Sequence, residues 1–84
     1  MTVHIVVSVK DRAVDAYNRP FIVPTTGAAI RSFTDEVNRK ESEMYAHPED
    51  YDLYEIGTFD DQTGNISTQQ PRVLTRAQDV VIKD

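Results

Sequence analysis

Eighty-four residues without a cysteine make a single domain of below-average size, with no disulfide framework, no zinc–thiolate or iron–sulfur site and no Cys nucleophile. At 39% hydrophobic and 27% charged residues, the chain is too apolar for obligate disorder and too polar for a membrane span. A formal net charge of -5 argues against a generic nucleic-acid coat, and the opening MTVHIVVSVK lacks the basic leader of a signal peptide, so a cytoplasmic location is expected.

Residues 3–9 alternate, with Val3, Ile5, Val7 and Val9 on one face and His4, Val6 and Ser8 on the other. That is the period of a strand with one buried face, expected over residues 2–9. Ala13 to Asn18 reads as a loop, with Ala13, Val14 and Tyr17 compatible with a helical turn. Arg19-Pro20 forces an extended approach, so Phe21-Ile22-Val23, fenced by Pro20 and Pro24, reads as a short edge strand. After Pro24 the period becomes helical. Thr25 or Thr26 can cap, and Ala29, Ile30, Phe33 and Val37 form an apolar stripe opposite Arg31, Asp35, Asn38 and Arg39, which predicts a helix over residues 26–40.

Glu41 to Asp52, interrupted by His47-Pro48, reads as a helical turn followed by a loop. A strand is expected over residues 52–60, with Tyr54, Ile56 and Thr58 facing away from Leu53, Glu55 and Phe59. Asp60-Asp61-Gln62-Thr63-Gly64-Asn65 is turn chemistry. Residues 65–70 then complete a hairpin that Pro71 ends. The tail carries two signals: Thr75-Arg76-Ala77-Gln78 matches a capping box, while Val80-Val81-Ile82 is strand-like. The whole predicts an α+β fold, a small antiparallel sheet of about four strands with one main helix packed on one face. Ile30, Phe33 and Val37 should meet Val3, Ile5, Val7 and Val9 in the core. So thin a core, with two sheet edges, favours a two-fold homodimer.

The charge is divided along the chain. Residues 1–40 place Lys10, Arg12, Arg19, Arg31, Arg39 and Lys40 against four carboxylates, whereas residues 41–61 hold eight carboxylates and no Lys or Arg. One basic and one acidic face would select partners by sign, and a solvated acidic run is the plainer alternative. Glu49, Asp50 and Asp52 could bind a hard cation, as could Asp60 and Asp61 in the turn, but the turn lacks the order of a calcium loop and a structural turn is the better reading; neither His4 nor His47 sits in a nucleophile motif. No enzyme, cofactor or metal is therefore expected. Phe21 to Ala29, a strand leading through Thr25-Thr26-Gly27 into a helix beside Arg31, is either an ordinary cap or an anion site.

Arg19-Pro20-Phe21, Pro24-Thr25-Thr26-Gly27-Ala28-Ala29-Ile30-Arg31-Ser32-Phe33, His47-Pro48-Glu49-Asp50-Tyr51 and Leu53-Tyr54-Glu55-Ile56-Gly57-Thr58-Phe59-Asp60-Asp61 together resemble the small nonstructural protein of gokushoviruses, single-stranded DNA phages of the microvirus family. The resemblance runs over roughly residues 6–66 and weakens in the tail. It implies a role in single-stranded genome synthesis and packaging, in the cytoplasm of an infected bacterium. Two readings follow. In the first, Lys10, Arg12, Tyr17, Arg19, Arg31, Arg39 and Lys40 share a surface that binds single-stranded DNA weakly. In the second, the acidic 41–61 stretch docks a viral replication or capsid-assembly protein without touching DNA.

Overall fold

The computed structural model describes residues 2–83. Its sheet is built on β1 (Val3–Asp11), flanked on one side by β4 (Tyr51–Asp60) and then β5 (Ile66–Arg76). The other side of β1 is taken in two pieces, β2 (Ala16–Tyr17) at its C-terminal end and β3 (Phe21–Val23) nearer its start. Every pairing is antiparallel. The expected α+β architecture is thus observed, with a fifth strand added where a loop was expected. β2 forms because Asp15 takes a left-handed backbone, φ 55°, which a short polar side chain tolerates. That bend returns the chain along β1, where Tyr17 opposes Lys10.

The main helix, α1 (Thr26–Val37), begins where the threonines predict. Thr25 is its cap, the Oγ1 accepting from the Ala28 N–H at 3.0 Å. Ala29, Phe33 and Val37, spaced by four, are buried against Val7, Val9, Val23, Leu53 and Ala77. The helix stops three residues short of the expected end because Asn38 leaves the helical path. Its Nδ2 donates to the carbonyls of Thr34 (2.9 Å) and Val80 (3.1 Å), and its Oδ1 accepts from the Ile82 N–H at 2.7 Å. One amide thus closes the helix and ties down the C-terminal tail. A short α2 (Glu43–Ala46), capped by Ser42, and a 3-10 turn (Pro48–Asp50) lead into β4.

Several expectations are corrected. β1 runs to Asp11 and β5 continues through Pro71 to Arg76. A proline is tolerated there because β5 is an edge strand and its register slips: Arg72 opposes Glu55 and Thr68 opposes Gly57, leaving residues 69–71 opposite Ile56. Thr75 consequently stays in β5, and α3 (Ala77–Val80) starts after Arg76 with no side-chain cap. Val80 closes α3, and Val81 and Ile82 lie outside the sheet. Val3 is 46% exposed instead of joining the core, since it pairs with Asp60 at the end of the sheet beyond the helix. Ile5 and Ile30 are only partly buried.

The face assignment of β4 also changes. Val7 opposes Glu55 while Val6 opposes Gly57, so Ile56 is a bulge with no partner on β1. An extra residue reverses the alternation beyond it. Thr58 therefore shares the helix-covered face with Ile5 and Val7, and Phe59 moves to the opposite face with Tyr54. Gly57 permits this crowding: a Cβ there would collide with the Ser67 carbonyl oxygen. In the hairpin turn, Gly64 adopts φ 78° and its N–H donates to the Asp60 carbonyl at 2.8 Å.

Phe33 is 3% exposed at the centre of the helix–sheet contact. Phe33→Ala should cost about 3–5 kcal/mol, a large part of the stability of so small a domain. Thermal melting would register it as a steep fall in midpoint, and an unchanged melt would refute this packing.

Candidate nucleic-acid interface

Directly opposed residues of an antiparallel sheet share a face, so the strand registers define what the side away from α1 carries. One row across it is Tyr17, Lys10, Asp52 and Arg76. The next holds Ser8, Tyr54 and Val73. Ile22, Val6, Gly57 and Thr68 follow, then His4, Phe59 and Ile66. Successive rows lie about 7 Å apart along the strands. No helix covers this face among the described residues. Its middle is nonetheless partly closed: Val6 is buried, and the buried Ser8 hydroxyl donates to the Asn18 carbonyl at 2.7 Å. The side of β1 expected to meet water is therefore only wet in places.

The first row is a charged cluster. Asp52 is 2% exposed, and its Oδ2 accepts from Arg76 Nη1 at 3.1 Å and faces Arg12 Nη1 at 3.6 Å. Lys10 Nζ lies 3.3 Å from Asp15 Oδ1 and 5.6 Å from the centre of the Tyr17 ring. The hydrogen bond to Asp15 is the main reason the Lys10 ammonium titrates above its ordinary range. Tyr17 meets Tyr54 edge to face, with centroids 5.5 Å apart. At the far end, the His4 and Phe59 rings are 6.1 Å apart. His4 Nε2 sits 3.0 Å from Asp61 Oδ2, a hydrogen bond that holds the Asp61 carboxyl below its usual value.

Of the residues expected to share one basic surface, Lys10, Arg12 and Tyr17 do come together. Arg19 is exposed in the link between β2 and β3. Arg31, Arg39 and Lys40 belong to the helix layer on the opposite side of the sheet, so the seven residues do not form one surface. The helix must turn Phe33 and Val37 toward the sheet, which sends Arg31 outward. Arg39 is engaged with Glu36 at 2.8 Å, an exposed pair of small energetic weight. Tyr54, which the sequence allowed either as a stacking ring or as core, and Arg76 complete the cluster, and Arg76 was missed as a site residue. Arg76 sits inside the helix-capping signal, and the long pairing of β5 that would have relocated it is hidden by Pro71.

The acidic run is not one face either. Asp52 and Glu55 are buried in the sheet, Glu55 Oε1 accepting from Arg72 Nη2 at 2.7 Å. With Asp52 so engaged, it leaves the expected Glu49, Asp50 and Asp52 group. His47, Glu49 and Asp50 instead bring potential ligand atoms within 4.8 Å of one another. At the start of α1, Thr25, Gly27, Ala28, Arg31 and Ser32 line an open pocket of about 500 Å³, and the Thr25 oxygen there is already used as the helix cap.

Asp52→Asn removes the charge that Arg12 and Arg76 share while preserving shape. The loss should be about 1.5–3 kcal/mol, the range for a hydrogen bond to a charged group, measured by urea unfolding. A variant as stable as the parent would show that the cluster contributes nothing to holding β1, β4 and β5 together.

A family model described as Phage ORF5 protein matches residues 4–80, a span that takes in α1 and, apart from Val3, all five strands. No curated protein and no solved structure shows significant similarity. The matched span includes both the helix-covered core and the open face of the sheet, and the chain belongs to the Phage ORF5 protein family, a family of bacteriophage proteins.

Proposed function

We propose that this phage protein is a nonenzymatic accessory factor of single-stranded DNA genome synthesis and packaging, of the gokushovirus kind, acting in the host cytoplasm by binding single-stranded DNA weakly. The observation that carries this reading is the convergence of Lys10, Arg12 and Arg76 at one end of the open face. Three cations meet two carboxylates there, Asp52 and Asp15, beside the rings of Tyr17 and Tyr54. The chain as a whole carries -5, which opposes a polyanion at long range, so a local surplus of positive charge must do the binding. With about three phosphate contacts, affinity should fall with salt at a logarithmic slope of about -2, from about -0.7 per contact. Fluorescence anisotropy at two salt concentrations measures it. Lys10→Glu should abolish binding, and because it sets a carboxylate opposite Asp52 and beside Asp15, Lys10→Gln, which should weaken binding without that repulsion, separates loss of the cation from loss of the fold. Absence of binding at low salt, or indifference to Lys10→Glu, sinks the reading.

A second reading has its own observation. Glu41, Glu43 and Glu49 are exposed around α2, an acidic surface suited to a basic patch on a viral replication or capsid-assembly protein. Capture of such a partner by the parent, lost on neutralising these three residues and unaffected by nuclease, would favour it over direct DNA contact.

The active form in either reading is a homodimer. The outer edge of β5 pairs with no strand among the described residues, and its Ile66 is 62% exposed; such an edge templates pairing with another chain. Light scattering should give twice the 9.5 kDa of one chain, and a monomer mass at working concentration would exclude this pairing.

A further inference from the structure

We infer that the open face of the sheet is a base-stacking platform, on which Tyr17, Tyr54 and Phe59 receive unpaired DNA bases while Lys10, Arg12 and Arg76 hold the backbone. The inference rests on the single-strand-binding reading above and says how the strand is held. Charge alone cannot account for the composition of this face. A site that merely attracted phosphates would need cations and nothing else. Here Lys10 and Arg76 share the first row with Arg12 just past the end of β1, and the rows beyond carry rings and branched apolar side chains. Tyr17, beside Lys10, is 43% exposed, Ile22 49% and Val73 39%, while Tyr54 and Phe59 are half-buried with part of each residue reaching solvent.

The bulge at Ile56 gives the second observation. Uninterrupted alternation in β4 would put Phe59 on the side of Leu53, under the helix layer. The slip of one residue puts Phe59 on the side of Tyr54, so that rings stand at both ends of the same face. Tyr54 and Phe59 are two rows apart, about 14 Å, while Tyr17 sits against Tyr54. A sheet displaying rings in this way can stack two or three splayed bases. Every base has a π-face, so stacking of this kind is tolerant of sequence.

Charge complementarity selects a polyanionic strand as the occupant. A hydrophobic protein partner would leave Lys10 and Arg12 desolvated at the edge of its contact, whereas phosphates satisfy them. Duplex DNA offers phosphates but keeps its bases stacked on one another, so it can use the cationic row and not the rings.

The test compares a short oligothymidylate with an abasic oligomer of the same length. Removing the bases should weaken binding about fivefold or more, the range for losing one stacked base. Tyr17→Ala should lose the same factor on oligothymidylate and show no change on the abasic oligomer, whose unchanged binding separates loss of stacking from loss of fold. Tyr17→Phe, which keeps the ring, should restore affinity. Equal affinity for both oligomers, each still sensitive to salt and to Lys10→Glu, would overturn the platform and leave the DNA-binding reading standing. Failure of both oligomers to bind at low salt would overturn the two together.

Discussion

One helix of twelve residues has to cover a sheet whose longest strand has eleven. At 1.5 Å per residue the helix spans about 18 Å, and at 3.4 Å per residue the strand spans about 37 Å. The helix can therefore close only one face, and only half of that. Ala29, Phe33 and Val37 cover the stretch of sheet holding Val7, Val9 and Leu53, and Asn38 folds the C-terminal tail against the helix end to widen the cover. Beyond this patch the β4–β5 hairpin continues uncovered, which is why the molecule extends to 45 Å along its longest axis. The uncovered area is what the protein has available for partners.

A thin apolar core leaves the sheet to be joined partly by charge. Asp52 and Glu55 are both buried, and each answers an arginine of β5, Arg76 and Arg72 respectively. In each pair the carboxylate is buried and the arginine is exposed to solvent, so the pair offsets the carboxylate's desolvation cost and adds little net stability, but removing the arginine leaves a buried charge unmet. Their effect is to hold one register of an edge strand whose own pairing is irregular in two places. They also change the meaning of the acidic middle of the chain. Two of its eight carboxylates stitch strands together and do not face a partner, and a third, Asp61, is bound to His4 at the hairpin turn.

Bulge and charge cluster act together on the open face. The cluster fixes cations at the β2 end, and the bulge turns Phe59 outward at the hairpin end. On the reading proposed above, affinity for single-stranded DNA would come from the sum of weak ionic and stacking contacts on this patterned surface.

Sequence alone was sufficient for elements whose signals are local. The alternation of Val3 to Val9, the Thr25 cap with the stripe to Val37, and the Asp60–Asn65 turn all depend on neighbours within a few residues, and all are present. Fold class followed from their order. The faces did not follow, because which side of β4 carries Phe59 depends on a slip against β1, a residue far away in the chain. β2 was invisible for the same reason, being two residues whose only strand character is the pairing of Tyr17 and Ala16 with Lys10 and Asp11. Pro71 misled because proline forbids a strand only where its missing N–H would be needed, and that is decided by whether the strand is an edge. Arg31 and Arg76 exchanged importance on like grounds: composition counts cations, but only the packing of α1 on one face determines which of them can stand beside one another.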